Sequence, residues 1–302
     1  MKALASYIMR GPFQATMVVS ATAILSLILP FINYLSGAAL ALVTLRQGLN
    51  AGLVILVSSS AIFGIFTYFF TSLAHVPMAV FGFIGVLGMV WVLGAVLRYT
   101  LSLPKTLMVA GGFGAVFVLV IYAVTDPVLM WQQATSTFFA PVLEQADEQS
   151  RTVLSQQIAL ASKSLTGIFA GFIVLNCVAC LFLGRWWQAL LYNPGGFQQE
   201  FHNLRLGNTF AIVTGVIGVI SFLPIGYVSA IAGELLSVLL MLYLLQALAV
   251  AHAVVHVKKL HISWLVGIYI LSPFLLRLIA IVGFIDTWAN FRDKVRASMG
   301  KS

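Results

Sequence analysis

Residues 229–254 read SAIAGELLSVLLMLYLLQALAVAHAV, a run in which Glu234 is the only acidic residue and no Lys or Arg occurs. A bilayer hydrocarbon core is about 30 Å thick, and about 20 apolar residues in helical form cross it. This stretch is longer than that. Its apolar residues are continuous and do not alternate every second position, so it reads as a helix and not as a strand of a membrane barrel.

Eight further apolar runs occur, at about 12–29, 31–45, 50–73, 76–97, 105–125, 164–184, 208–226 and 262–285. Composition agrees: 61% of residues are hydrophobic, 8% are charged, and mean hydropathy is +1.04. A water-facing surface needs roughly 25% charged residues. The expected fold is therefore all-α: a polytopic membrane helical bundle of about eight crossings plus a broken or re-entrant last segment. Pro30 separates the first two runs and residues 75–77 the next pair, so each pair is expected to form a tight hairpin.

Orientation follows from Lys and Arg, which concentrate on the cytoplasmic side. With the N-terminus inside, the inner loops hold Lys2, Arg10, Arg46, Arg98, Lys105, Arg185, Arg205, Lys258 and Lys259, against Arg151 and Lys163 outside. If 262–285 crosses once, the tail with Arg292, Lys294, Arg296 and Lys301 falls outside and the bias weakens. Ser272-Pro273 interrupts that run, and proline removes a helical hydrogen bond. A broken or re-entrant segment and a cytosolic C-terminus are expected, in a bacterial inner membrane. The formal net charge of +8 does not point to nucleic acid, because the basic residues sit singly at the ends of apolar runs.

Three blocks are expected: a six-span core over 1–185 with an outer amphipathic segment at 126–163, an aromatic cytosolic loop at 186–207, and a C-terminal hairpin, broken segment and basic tail over 208–302. Within the outer segment, Phe139, Val142, Leu143, Val153, Leu154 and Ile158 recur at roughly helical spacing. They predict one amphipathic helix from 138 to 160, or an outward extension of the sixth span.

No P-loop, H-E-x-x-H, G-x-S-x-G or dinucleotide glycine fingerprint is present, so the chain is expected to be no enzyme and to need no cofactor. His252 and His256 share a helical face but lack further ligands nearby, so no metal site is expected. Cys177 and Cys180 lie in mid-span and read as small packing residues. Pairs at four-residue spacing, such as Gly167 and Gly171 or Gly37 and Ala41, allow helices to approach closely. Gly82, Gly85 and Gly88 make one face of the fourth span thin.

Ionisable groups at membrane depth carry the functional expectation, since each costs several kcal/mol unless paired or hydrated. Glu234 and Arg277 are expected to face the bundle interior and line one polar cavity, with Asn176, Asn33 and Tyr34 adding polar contacts. The alternative is that Glu234 reaches the interface and Arg277 snorkels to a lipid phosphate.

The loop RWWQALLYNPGGF at 185–197 is the most distinctive stretch. Trp186, Trp187 and Tyr192 suit an interfacial belt, Pro194 and Gly195 a turn, and Phe197 the start of a short inner-surface helix. It reads as an elbow or as a docking surface. Asp286 and Arg292, in GFIDTWANFR at 283–292, add an expected surface ion pair. With these two motifs and its span order, the chain resembles, over essentially its whole length, the YybS-like family of bacterial inner-membrane proteins. That family is distantly similar to the S components of energy-coupling-factor transporters. The resemblance implies an S-component-like six-helix core that binds a small molecule and docks on a separate energising module. Where S components carry A-x-x-x-A, this first span has Thr16 to Ser20 and Val19 to Ala23, a departure that bears on such docking.

The first functional reading is thus transport-type binding of a small or amphiphilic solute within the bundle. A membrane scaffold for envelope or division machinery is the second, and a lipid-handling protein the third. The expected partners are membrane lipid, a small-molecule solute, and a membrane or cytosolic protein.

Overall fold

The computed structural model describes every residue except Thr71, Ala74 and residues 300–302. Lys301, counted above in the basic tail, lies outside the described residues. Every described element is helical: α1 (Lys2–Ile8), α2 (Pro12–Leu25), α3 (Asn33–Gln47), α4 (Leu49–Phe70), α5 (Val76–Thr100), α6 (Leu103–Val124), α7 (Pro127–Gln145), α8 (Glu148–Ser162), α9 (Leu165–Tyr192), α10 (Gly196–His202), α11 (Asn208–Phe222), α12 (Tyr227–Val257), α13 (Ser263–Leu271), α14 (Leu276–Ala289) and α15 (Phe291–Met299), with one 3-10 turn at Pro30–Ile32. Pro12, Pro77 and Pro127 stand in first helical turns, where the missing N–H has no helical partner to lose.

Among the described residues, five helices (α4, α5, α6, α9 and α12) are long and apolar enough to cross a membrane, and α13 with α14 is a bent pair that could count as a sixth span. That is fewer than the eight or so crossings expected from apolar runs. The difference lies in α2 and α11, which are only 14 and 15 residues long, and in α3, whose 15 residues include Arg46. An apolar run records what a segment can bury, while crossing also requires about 20 residues in one helix.

The chain gathers into two compact units, each discontinuous in sequence: residues 1–110 with 175–205, and 111–174 with 206–302. In the first unit α3 is the inner element, buried from Ser36 to Leu45. Its small residues permit this: a side chain at Gly37 would meet Cys180, and one at Gly184 would meet the Ala38 carbonyl at 2.7 Å. Ser36 donates to the Val19 carbonyl at 3.1 Å, and Arg98 donates to the Leu45 carbonyl at 2.6 Å, satisfying an orphan acceptor at the end of α3. The glycine face of α5 is open, with nothing near a Cβ at Gly82, Gly85 or Gly88.

In the second unit α12 is the most enclosed of the long helices. α11 and α14 pack along it. The register between α12 and α14 decides the course of the last segment. Gly283 abuts the Tyr243 carbonyl and the Ala247 nitrogen, and the Gln246 amide donates to the Gly283 carbonyl at 2.7 Å and to Thr287 Oγ1 at 3.3 Å. Farther on, Arg292, Val295 and Arg296 line a small recess with Ala253, Val254 and Val257. Rising numbers in one helix meet rising numbers in the other, so the two run parallel.

α13 begins beside the same end of α12, and Tyr269 Oη lies 3.1 Å from His252 Nε2. The break at 272–275 turns the chain by 117°. Both ends of the bent pair therefore lie toward the Val257 end of α12, with the break where Ser272-Pro273 leads one to expect it. Asn290, in the left-handed region at φ 50°, makes the corner into α15. Asn tolerates that conformation better than most side chains.

The outer segment differs from the single helix expected over 138–160. It is two helices, α7 and α8, packed as a hairpin. Ala146 is extended, and the Asp147 carboxylate accepts the Ser150 N–H at 2.8 Å, starting a new helix at that point. Arg151 closes the corner from the other side, donating to the Leu143 carbonyl at 2.9 Å. Helical spacing on both sides of the break concealed a local stop signal.

Candidate functional site

Glu234 and Arg277 meet the same cavity, within the second unit. A cleft of about 670 Å³ is lined by parts of α11, α12 and α14 and by the chain entering α9, with Lys163, Glu234 and Arg277 as its charged residues. The rest of its wall is small or hydroxylated, including Ser164, Thr214, Ser221 and Ser237, or apolar, including Leu236, Ile281 and Phe284. A second cavity of about 350 Å³ shares Ser237, Leu240 and Arg277 with the first and is otherwise bounded by groups such as Ile168, Phe172, Met241 and Phe274. Arg277 thus borders a polar space on one side and an apolar one on the other.

The two charges share the cleft without pairing. Glu234 is only 2% exposed. Its carboxylate accepts the Gly167 N–H at 2.6 Å, with the Thr166 backbone and the Tyr122 hydroxyl close by. Leu165, Thr166 and Gly167 open α9, and the first N–H groups of a helix have no partner within it. Glu234 therefore caps α9 from a neighbouring helix, with its negative charge against the positive end of the α9 dipole. Gly167 is what lets this happen: a Cβ there would come within 2.7 Å of the Glu234 Cα. The small pair Gly167 and Gly171 was legible in the sequence, but the partner of Gly167 was not.

Around this cap runs a string of polar contacts. Tyr227 Oη donates to the Tyr122 carbonyl at 2.7 Å, the Tyr122 and Tyr227 rings meet edge to face, and Trp131 Nε1 donates to Thr166 Oγ1 at 2.9 Å. Tyr122, Trp131, Thr166 and Lys163 belong to the site and sequence reasoning did not single them out. Their one signal was proximity in sequence to the ends of apolar runs.

Depth matters for Arg277. At 1.5 Å per residue, the 31 residues of α12 extend about 46 Å, well beyond a hydrocarbon core of about 30 Å. Arg277 sits opposite Ser237–Met241 of α12, roughly 18 Å along that helix by the same rise. A guanidinium near the bilayer centre costs about 2.5–3.5 kcal/mol on insertion scales unless something compensates it. Among the described residues, neither Arg277 nor Lys163 makes an ion pair. The hydroxyls of Thr214, Ser221, Ser229 and Ser237 each donate to a carbonyl one turn back in their own helix. Their oxygens remain as acceptors facing the cleft.

Asn176, Asn33 and Tyr34 are not in this cleft. All three lie in the first unit, Asn176 and Asn33 half-buried and Tyr34 38% exposed. Helical position alone could not tell which face of its span each occupies.

The docking set also divides. α9 continues to Tyr192, so Trp186, Trp187 and Tyr192 are helical and not in a loop. Trp187 is wholly buried in the core of the first unit, whereas Trp186 is 38% and Tyr192 47% exposed. Arg46 stacks over the Tyr192 ring at 4.3 Å. Pro194 and Gly195 form the turn, with Gly195 at φ 86°, where glycine is favoured. Phe197 packs edge to face on Phe182, and Arg185 forms a salt bridge to Glu200, fastening α10 to α9.

Asp286 and Arg292 form an ion pair that is buried, not superficial: they are 0% and 2% exposed and 2.6 Å apart, with Phe291 N–H donating to Asp286 at 3.0 Å. Trp187, Asp286 and Arg292 therefore present no docking surface. The left-handed corner at Asn290 sets α15 against the end of α12 and brings Arg292 to Asp286, a geometry that counting residues does not show.

No family model, curated protein or solved structure matches the chain.

Proposed function

We propose that this chain is a multi-pass protein of the bacterial inner membrane that binds an anionic amphiphile in the cleft of its second unit, in the manner of a transport protein and without bond-making chemistry. One observation carries the reading. Arg277 lies opposite Ser237–Met241 of α12, has no ion-pair partner among the described residues, and borders both a hydroxyl-lined and an apolar cavity. An anionic headgroup offsets the charge of Arg277, and Lys163 adds a second cation on the cleft wall. Hydroxyls on that headgroup find acceptors in the serine and threonine oxygens, and its chain finds the apolar cavity. A polyol phosphate lipid has all three features.

In the orientation that goes with this reading, Lys258, Lys259 and the C-terminal helix face the cytosol, as the distribution of Lys and Arg favours. The cleft then lies nearer the outer leaflet. α13 and α14 form a re-entrant pair reaching about half depth.

The test is binding of radiolabelled lysophosphatidylglycerol to the purified chain in dodecyl maltoside, with lysophosphatidylcholine as the zwitterionic comparison. Charge-assisted contacts contribute about 1.5–3 kcal/mol, so Arg277→Gln should weaken the anionic lipid roughly ten- to one-hundred-fold. Equal binding of the two lipids, or no loss in the Arg277 variant, would remove the proposal.

A further inference from the structure

Resting on the anion-binding reading, we infer that the cleft binds its anion together with a proton, which Glu234 takes up. The cleft holds two fixed positive charges, on Lys163 and Arg277, and one carboxylate, on Glu234. An anion drawn to the cations is thereby placed beside that carboxylate, in a space walled by helices where like charges are weakly screened. Neither cation forms an ion pair with Glu234 among the described residues, so the carboxylate is not already neutralised by a neighbour. Its acceptor bond comes from an uncharged donor, the Gly167 N–H, with the uncharged Thr166 backbone and Tyr122 hydroxyl close by.

Protonation forms one O–H bond on a Glu234 oxygen, with the proton supplied by solvent, and removes the repulsion. The other oxygen can still accept the Gly167 N–H, so the helix cap survives and the α9–α12 contact need not open.

The groups facing Glu234 from each neighbouring element limit where else the proton could go. α9 contributes no titratable side chain near its start, and Lys163 precedes it. α6 contributes Tyr122, and the turn after α6 contributes Asp126. α12 itself contributes Tyr227, α14 contributes Arg277, and α11 contributes none. Of these, Asp126 already caps α7 by accepting the Leu129 N–H at 3.0 Å and is exposed. Glu234 is the buried acid on the cleft wall.

By linkage, if proton uptake favours the anion, acid favours binding. The probe is lysophosphatidylglycerol, whose phosphodiester carries a constant charge between pH 5 and 8. Wild-type affinity should rise as pH falls, by a total of about 5- to 150-fold for a coupling of ordinary size. Glu234→Gln, which keeps the acceptor oxygen but not the charge, should bind tightly at pH 8 and lose the pH dependence. A second measurement needs no variant: adding the lipid to wild-type protein in weakly buffered solution with an indicator dye should consume close to one proton per lipid bound.

Wild-type binding with no proton uptake and no pH dependence would overturn this inference and leave the anion-binding reading standing. A wild-type pH profile retained in Glu234→Gln would also overturn it. No lipid binding at any pH would overturn both.

Discussion

Removing Arg292 should undock the end of the last segment, and the size of the effect can be worked from its surroundings. The Asp286 carboxylate is fully buried and has two partners, the Arg292 guanidinium at 2.6 Å and the Phe291 N–H at 3.0 Å. Arg292→Met keeps the length of the side chain but leaves a buried carboxylate with one uncharged donor. Breaking a buried pair from one side costs about 3–5 kcal/mol, because the remaining charge is left uncompensated. Removing both charges, with Asp286→Leu and Arg292→Met together, should cost much less, since the desolvation of both ions disappears along with their attraction. The decisive quantity is the coupling between the two substitutions, measured as a double-mutant cycle from unfolding midpoints in mixed detergent micelles. The reasoning requires the double variant to be more stable than Arg292→Met alone. If the two effects add within about 0.5 kcal/mol, or if Arg292→Met costs under about 1 kcal/mol, the pair behaves as a surface pair and the argument for a buried clasp fails.

Gly283→Ala should sharply reduce the yield of folded protein, because its Cβ would strike the Tyr243 carbonyl, while Gly267→Ala, with open space around it, should leave yield unchanged or raise it. Size-exclusion profiles after purification distinguish the two. For the outer hairpin, hydrogen bonds from Ser150 hold the Asp147 carboxyl below its ordinary range. A folded pKa below the unfolded one means that the cap's contribution is present above the unfolded value of about 3.9 and is lost as pH falls through the folded value. Protection factors at the start of α8, taken relative to intrinsic exchange, should therefore fall in acid, and Asp147→Ala should show the lower protection at every pH. In a background with Cys177 and Cys180 replaced, single cysteines at Lys258 and Ser298 should react with a membrane-impermeant thiol reagent from the same side, and one at Ser150 from the opposite side. Labelling of Lys258 and Ser298 positions from opposite sides would show that the last segment crosses.

The features legible in the sequence were those set by length and local chemistry. Residues 229–254 announce a long buried helix, and Ser272-Pro273 announces a break, because both follow from how a chain behaves in hydrocarbon whatever packs beside it. The charged residues of the cleft, Glu234 and Arg277, could be picked out for the same reason: charge at membrane depth is costly wherever it faces. The rest depended on contacts far apart in the chain. Trp187 and Trp186 are adjacent and equally aromatic, yet a step of 100° around α9 buries one and exposes the other. Asn33, Tyr34 and Asn176 are polar residues in apolar helices, but polarity does not say which wall they line. The turn at Ala146 was hidden because the apolar spacing continues across it and only Asp147, one residue later, marks the new start.

The polar residues of α12 explain how the second arm of the bent pair is held beside that helix. Gln246, wholly buried, does this from within α12: its oxygen accepts the Leu206 N–H at 2.8 Å and its nitrogen donates to the Gly283 carbonyl at 2.7 Å. A single amide thus ties α14 to α12 and to the chain entering α11. Gln246 fixes the inner half of α14, the Asp286–Arg292 pair its end, and the close approach at Gly283 its register. What is left unfastened is the beginning of α14, where Arg277 lies. Arg277 is carried by an exposed part of the segment, as are residues 273–275, so the ligand that neutralises Arg277 should also order the turn at 272–275. Hydrogen exchange in that turn, measured with and without lysophosphatidylglycerol, should slow on binding, while exchange at Gln246 and Gly283 should stay as it was. Equal slowing throughout α14 would instead mean that the helix is held as one piece and that the lipid acts by general stabilisation.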